Sequence, residues 1–169
     1  GVMTPTTNKF YDQREGKWVD AVELNVGKLY DEGYGPSNGV IYFSDETQDN
    51  PALRLSNAAE LDGGLSIASE NPMYTVGNYN STDKKPAALM ADAVTFLSSA
   101  WSDANSTLSK SSRTAVSTTV NCSYLTGNVP TTSSVYSGGF ENLPRFLEVW
   151  SGKTMTWTGS AVNLWASRQ

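Results

Sequence analysis

The sequence predicts a mainly β domain, read as a right-handed parallel β-helix with one short α-helix, a β-sandwich being the alternative. Three observations lead there. Short apolar/polar alternations recur along the chain, as in Leu65/Ile67, Val120/Cys122 and Met155/Trp157, and alternation with period two marks a strand that buries one face. None is long enough to cross an ordinary sheet, and Gly, Asn or Pro breaks them off, as at Gly63-Gly64, Asn71-Pro72 and Gly77-Asn78. Many short strands with such corners suit either a stack of similar turns or a sandwich. The third observation is a faint repetition. Gly77-Asn78 returns as Gly127-Asn128, and Gly63-Gly64-Leu65 as Gly138-Gly139-Phe140, at offsets sharing a divisor of about 25 residues, a workable solenoid turn.

In chain order, residues 1–8 are rich in Thr and Pro and read as an extended lead-in, with residues 9–169 forming one domain. Charges crowd Phe10-Tyr11 as far as Lys17, as in a surface turn or short helix. Val22, Leu24 and Val26 make a strand, and Leu29-Tyr30 before Asp31-Glu32-Gly33 a brief helical turn. Val40-Ile41-Tyr42-Phe43 is apolar on both faces and is expected to be an interior strand. Leu53/Leu55, Leu65/Ile67 and Met73-Tyr74/Val76 give three more. Ala87 to Leu97 fits helix or strand and is assigned to strand because its neighbours are strands. Ser98 to Ser117 is Ser/Asn-rich around Trp101 and reads as a mobile excursion.

Val120 to Leu125 is a strand running into a turn at Gly127-Asn128, followed by a flexible loop from Thr131 to Gly139. The clearest helix is predicted at 141–150. Asn142 can cap it, Pro144 sits in its first turn, and Leu143, Phe146, Leu147 and Trp150 form an i, i+3, i+4, i+7 stripe. Met155/Trp157 and Val162/Leu164 close the chain as strands.

With 169 residues the chain can bury a core without a covalent or metal staple. Only 17% of residues are charged, the net charge is -5, and Ser plus Thr make up about a fifth. So polar yet weakly charged a composition reads as an extracellular, strand-rich surface protein. No basic stripe is available to neutralise phosphates, which argues against a nucleic-acid partner. Cys122 is the single cysteine, so no intrachain disulfide can form, and it reads as a small buried hydrophobe. No apolar run is long enough for a membrane span. The start at Gly1-Val2-Met3-Thr4-Pro5 has no charged leader region, so an exported chain would be a fragment whose targeting segment lies upstream. Asn80, Asn105 and Asn121 open Asn-x-Ser/Thr sequons, which a chain this rich in Ser and Thr produces by chance.

The chain has no histidine, which removes Ser-His-Asp and Cys-His nucleophile systems and the commonest metal ligand. Gly152-Lys153-Thr154 has the end of a phosphate-binding loop, but Leu147 stands where that motif needs Gly. Neither a metal nor a cofactor is expected. Carboxylate chemistry would draw on Asp62, Glu70 and Asp92 with Arg54 or Arg145. The plainer reading makes Asp62 and Asp92 turn or surface residues and pairs Arg145 with Glu141 or Glu148 along its helix. Trp157, Trp165, Tyr74, Tyr79 and Tyr42 could form a platform for sugar rings or a protein partner. Trp165 is the residue assigned to a ligand or partner surface, because alternation places it opposite Val162 and Leu164.

Three stretches carry a resemblance: Asp92-Ala93-Val94-Thr95-Phe96-Leu97-Ser98, the run from Gly138-Gly139-Phe140 to Leu147-Glu148, and Trp150-Ser151-Gly152-Lys153. Together with Asn38-Gly39-Val40-Ile41-Tyr42 and Gly63 to Asn80, they resemble the C-terminal region of large uncharacterised bacterial proteins associated with type IV pilus assembly or described as minor-pilin-like. The likeness covers most of residues 10–168. It implies an exported, envelope- or pilus-associated structural or adhesive protein with a β-solenoid-like body, no catalytic residues, and pilus or envelope proteins or further copies as partners. Glycan binding or cleavage is the alternative function.

Overall fold

Apolar residues twenty or more positions apart meet across parallel strands, and these ladders set the architecture. A computed structural model describes residues 1–5, 9–133 and 137–167. The chain enters as β1 (Met3–Pro5) and β2 (Phe10–Asp12), both antiparallel to the long β3 (Lys17–Asn25). The stretch expected as a surface turn or short helix is therefore a hairpin. Asp12 Oδ1 accepts from the backbone N–H of Arg14 at 2.8 Å and of Glu15 at 3.0 Å, and Gly16 closes the turn at φ 68, a conformation that favours glycine. Phe10, read as a surface residue, is fully buried.

The helix of the structure is α1 (Val26–Asp31), at the place read as a brief helical turn; Asn25 Oδ1 caps it by accepting from Lys28 N at 3.0 Å. It leads to β4 (Val40–Phe43). From there the chain lays down strands in threes. The first three are β5 (Pro51–Ser56), β6 (Ala58–Glu60) and β7 (Leu65–Ser69). The next are β8 (Met73–Val76), β9 (Tyr79–Thr82) and β10 (Ala87–Met90). Then come β11 (Val94–Leu97), β12 (Thr118–Asn121) and β13 (Ser123–Asn128). The last are β14 (Pro144–Arg145), β15 (Met155–Thr158) and β16 (Ala161–Ala166). The first member of each triplet joins β3 in one sheet, the second members form another, and the third members join β4 in a five-stranded sheet. Apart from β1 and β2 on β3, every ladder is parallel. The mainly β expectation is what the structure shows.

The inward positions are continuous across strands. Leu53, Met73 and Val94 are in register in the first sheet, Ile41, Ile67, Leu89 and Tyr124 in the five-stranded sheet, and Tyr79, Val120 and Trp157 in the third. One hydrophobic cluster draws on all three sheets. The step from Leu53 to Met73 is twenty residues and from Met73 to Val94 twenty-one, shorter than the spacing read from the glycine echoes. Those echoes do not mark the repeat: Gly77 precedes β9, whereas Gly127-Asn128, expected as a turn, lies inside β13. Ala87 to Leu97 is strand as expected, but split into β10 and β11 by Ala91-Asp92-Ala93.

Two expectations fail for reasons of packing. The predicted helix at 141–150 is replaced by a 3₁₀ turn at Gly139–Asn142 and then by β14, which pairs with Val94 and Thr95. The apolar stripe was read as one helical face, yet its residues divide between two cores. Leu143 belongs to the main cluster and Leu147 to a second one on the outer side of the first sheet. Arg145, expected to pair along a helix, instead forms an ion pair with Glu15 on the hairpin. β4, expected to be interior, is an edge strand paired only with β7, so Val40 and Tyr42 are exposed and only Phe43 is buried.

The second cluster gathers Phe10, Val19, Ala21, Ala52, Tyr74, Leu97 and Leu147. The hairpin and residues 98–117 cover it. That excursion, expected to be mobile, is pinned down. Ser106 Oγ accepts from Tyr11 N at 2.9 Å, Trp101 meets Phe10 edge to face at 5.9 Å, and Arg54 holds Asp103 with 2.8 Å contacts to both carboxylate oxygens. Of the flexible loop expected at 131–139, residues 134–136 lie outside the described residues, as do residues 6–8 of the lead-in; Met3–Pro5 of that lead-in is β1. Among the described residues no helix is long and apolar enough to cross a membrane.

A buried amide pair ties successive strands of the third sheet. Asn80 Nδ2 donates to the carbonyl of Asn121 at 2.8 Å and Asn121 Nδ2 returns a bond to the carbonyl of Asn80 at 3.0 Å. Asn80 also exchanges bonds with the backbone of Lys85. Both residues are buried, so neither sequon presents an amide for modification in the folded chain. Asn80→Ala leaves the buried carbonyl of Asn121 without its side-chain donor and removes both part-buried bonds to the backbone of Lys85. It should lower stability by about 2–3 kcal/mol, measured by urea denaturation; a loss below about 0.5 kcal/mol would show the pair to be incidental.

Candidate functional site

Where the five-stranded sheet turns toward the first sheet, the corners stack into a groove. Its wall is built by Asp45 after β4, by Glu70 and Asn71 between β7 and β8, by Asp92 between β10 and β11, and by Trp165 at the end of β16. Strands about 4.8 Å apart place these side chains along one line from β4 to β16.

Each is held. Asn71 Oδ1 accepts from Asp45 N at 2.9 Å and its Nδ2 donates to Asp45 O at 3.2 Å, a two-point clasp between corners. Glu70 accepts a hydrogen bond from the Ser44 hydroxyl. Asp92 has one carboxylate oxygen on Trp165 Nε1 at 3.1 Å and the other on Ser167 Oγ at 2.9 Å, while its backbone carbonyl accepts from Thr126 Oγ1 and Gly127 N. Trp165 thus lies across β13 to reach Asp92. Gly127 makes that crossing possible, since a Cβ there would come within 2.7 Å of both Trp165 Nε1 and the Ser167 Cα.

The remaining candidates scatter. Arg54 is spent on Glu23 and Asp103 on the outer face of the first sheet, and Arg145 on Glu15. Neither lines the groove, nor does Asp62. The proposed carboxylate and arginine constellation is therefore not assembled, although Glu70 and Asp92 do share the groove. The aromatic platform also dissolves. Tyr74 is buried with its hydroxyl donating to Asp12 Oδ2 at 2.7 Å, and burial followed by the Asp12 charge holds its phenol well above the usual range. Tyr79 is fully buried in the main core. Trp157 is as exposed as Trp165 but sits in the third sheet, its Nε1 donating to the Cys122 carbonyl at 2.9 Å. Tyr42 is exposed, but on β4, at the opposite edge of the five-stranded sheet from Trp165.

Trp165 is 39% exposed, so the residue singled out from alternation does present an aromatic surface. Sequence reasoning missed Asp45 and Asn71; the only signal was their place in polar segments that follow strands. Among the described residues no cluster of His, Cys, Asp or Glu could hold a metal ion. Cys122 is free and buried, and burial pushes its thiol up to about 12. No family model, curated protein or solved structure matches the chain.

Two predictions follow from this geometry. Asp92→Asn leaves a single side-chain acceptor for two donors, so the terminal strand should loosen. The expected cost is about 1–2 kcal/mol, with a red shift of tryptophan emission as Trp165 meets water; unchanged stability and emission would contradict the anchoring role. The Cys122 thiol, protonated at all pH values well below 12, should resist a disulfide-exchange reagent at pH 8 and react fully once the chain is denatured. Rapid native-state labelling would contradict the burial.

Proposed function

We propose that this chain is a non-enzymatic, adhesive β-helical domain of a bacterial surface appendage of the pilus type, and that it holds glycan in the groove beside Trp165. The cyclic visiting of three parallel sheets supports a helical coil, read as right-handed because parallel crossovers almost always are, over a sandwich, whose sheets are antiparallel. The observation that carries the binding role is Asp92 locked between Trp165 and Ser167 beside Glu70. An indole face can stack on a pyranose ring, while fixed carboxylate and amide groups accept from and donate to its hydroxyls. The carboxylates along the groove favour neutral or amino sugars and repel acidic ones.

Binding rather than cleavage is favoured because both oxygens of Asp92 are committed to positioning Trp165 and Ser167, and both arginines of the alternative catalytic set are engaged elsewhere. The surface setting draws on the Ser/Thr-rich, weakly charged composition and on the resemblance to pilus-associated proteins. On an array of neutral, amino and acidic glycans, the chain should bind members of the first two classes, and Trp165→Ala should weaken that binding by about tenfold or more with the circular dichroism spectrum retained. Absence of binding, or equal binding by the variant, overturns the groove reading. Release of reducing ends from a bound glycan would instead establish cleavage.

A further inference from the structure

A second site lies on the outer side of the first sheet, away from the Trp165 groove. Three cations of this acidic protein, Arg14, Lys110 and Arg113, line one pocket whose apolar side is Phe146 and Leu147. No carboxylate lines it, and none of the three cations forms an ion pair with a described residue.

Arg113 is the telling member. It is 6% exposed, and its Nε and Nη1 are buried without a hydrogen-bond partner. Its remaining nitrogen, Nη2, donates to Gln13 Oε1 at 2.6 Å. Gln13 is locked in that pose because its own amide donates to the carbonyls of Ser106 and Leu108. A buried guanidinium with two nitrogens lacking acceptors is costly unless something supplies them. Asp12 and Glu148 favour its charge electrostatically, but both are occupied: Asp12 by Tyr74 and the backbone of Arg14 and Glu15, Glu148 by the N–H and hydroxyl of Ser98. Arg14 is poorly provided for as well. Its single side-chain hydrogen bond is a long 3.5 Å contact to the Asn142 carbonyl, and partial desolvation and then the adjacent Arg145 act against its charge more than Glu15 and Asp12 support it. Lys110 stands exposed at the rim.

We propose that this pocket binds a phosphate group, its oxygens accepting from Arg113 and Arg14 while Lys110 closes over it from the solvent side. A dianion answers three cations better than a carboxylate would, and arginine forks match tetrahedral oxyanions. Phe146 and Leu147 offer a surface for the organic part of a phosphate monoester, so a free ion and an ester are the two sources of the same chemistry.

The test is calorimetric titration of the intact chain with inorganic phosphate and with phenyl phosphate, at about 0.15 M salt to screen diffuse attraction. Saturable binding of at least one probe is expected, weakened about tenfold or more by Arg113→Gln and by a smaller factor in Lys110→Gln. Tighter binding of phenyl phosphate assigns the site to esters, and equal binding to the free ion. Should Arg113→Gln fail to fold, Arg14→Gln combined with Lys110→Gln, both at exposed positions, carries the same expectation. No saturable binding by the unaltered chain, or undiminished binding by the double variant, overturns the proposal.

Discussion

Parallel pairing between strands far apart in sequence, from twenty residues at Leu53 and Met73 to fifty at Val94 and Pro144, is the constraint on which the rest of the molecule depends. A parallel ladder cannot be closed by a tight hairpin, so each strand must wait for the chain to pass through two other sheets before its partner arrives. This makes the inward residues stack like on like. Ile41 meets Ile67 and Leu89 meets Ile67, and the interior is filled by short side-chain columns. The register also places the corners one above another, which is why Asp45, Glu70, Asp92 and Trp165, far apart in sequence, line a single groove.

The same geometry explains what could be read from the sequence. Period-two alternation at Leu65/Ile67 reports one buried face and survives in β7. Met73-Tyr74/Val76 and Val120 are strand residues as read, but Met73, Tyr74 and Thr75, and Val120, Asn121 and Cys122, are buried without alternation. Residues whose fate depends on distant neighbours were not legible. The stripe from Leu143 to Trp150 fits a helix in isolation, but Arg145 finds Glu15 and Val94 offers a ladder, and tertiary pairing overrides the periodicity. Val40 and Tyr42 look interior because they are apolar, yet their sheet ends at β4 and leaves them outside. Alternation did not give the direction of Trp165, since Leu164 beside it is more exposed; its contact with Asp92 was not legible because it spans β13. The glycine echoes misled because Gly77 sits before β9 while Gly127 lies inside β13, where it makes room for Trp165.

The outer face of the first sheet carries an added layer. On the first sheet, polar residues at outward positions serve to fasten an added layer: Arg54 to Asp103, Tyr74 to Asp12, Arg145 to Glu15. Residues 98–117 lie between β11 and β12 without disturbing the register of the strands on either side, so the path tolerates a long detour if its contents pack down. Added layers of this sort create enclosed polar sites that the bare sheets could not, and the Arg113 pocket lies where the hairpin, the excursion and the 142–147 segment meet.

A path that repeats has no built-in stopping point: each turn exposes a backbone edge that would accept one more. α1 supplies a stop on one side. Occupying the place of a third-sheet strand, it rests against the Asn57 corner, with Gly27 N donating to Asn57 O at 2.9 Å and no room for a side chain at Gly27. A helix cannot extend a ladder, so the edge of β6 is shielded from recruiting a foreign strand. Only the third sheet is covered in this way: β4, paired with β7 alone, leaves the edge of the five-stranded sheet open, so neighbouring sheets end unequally.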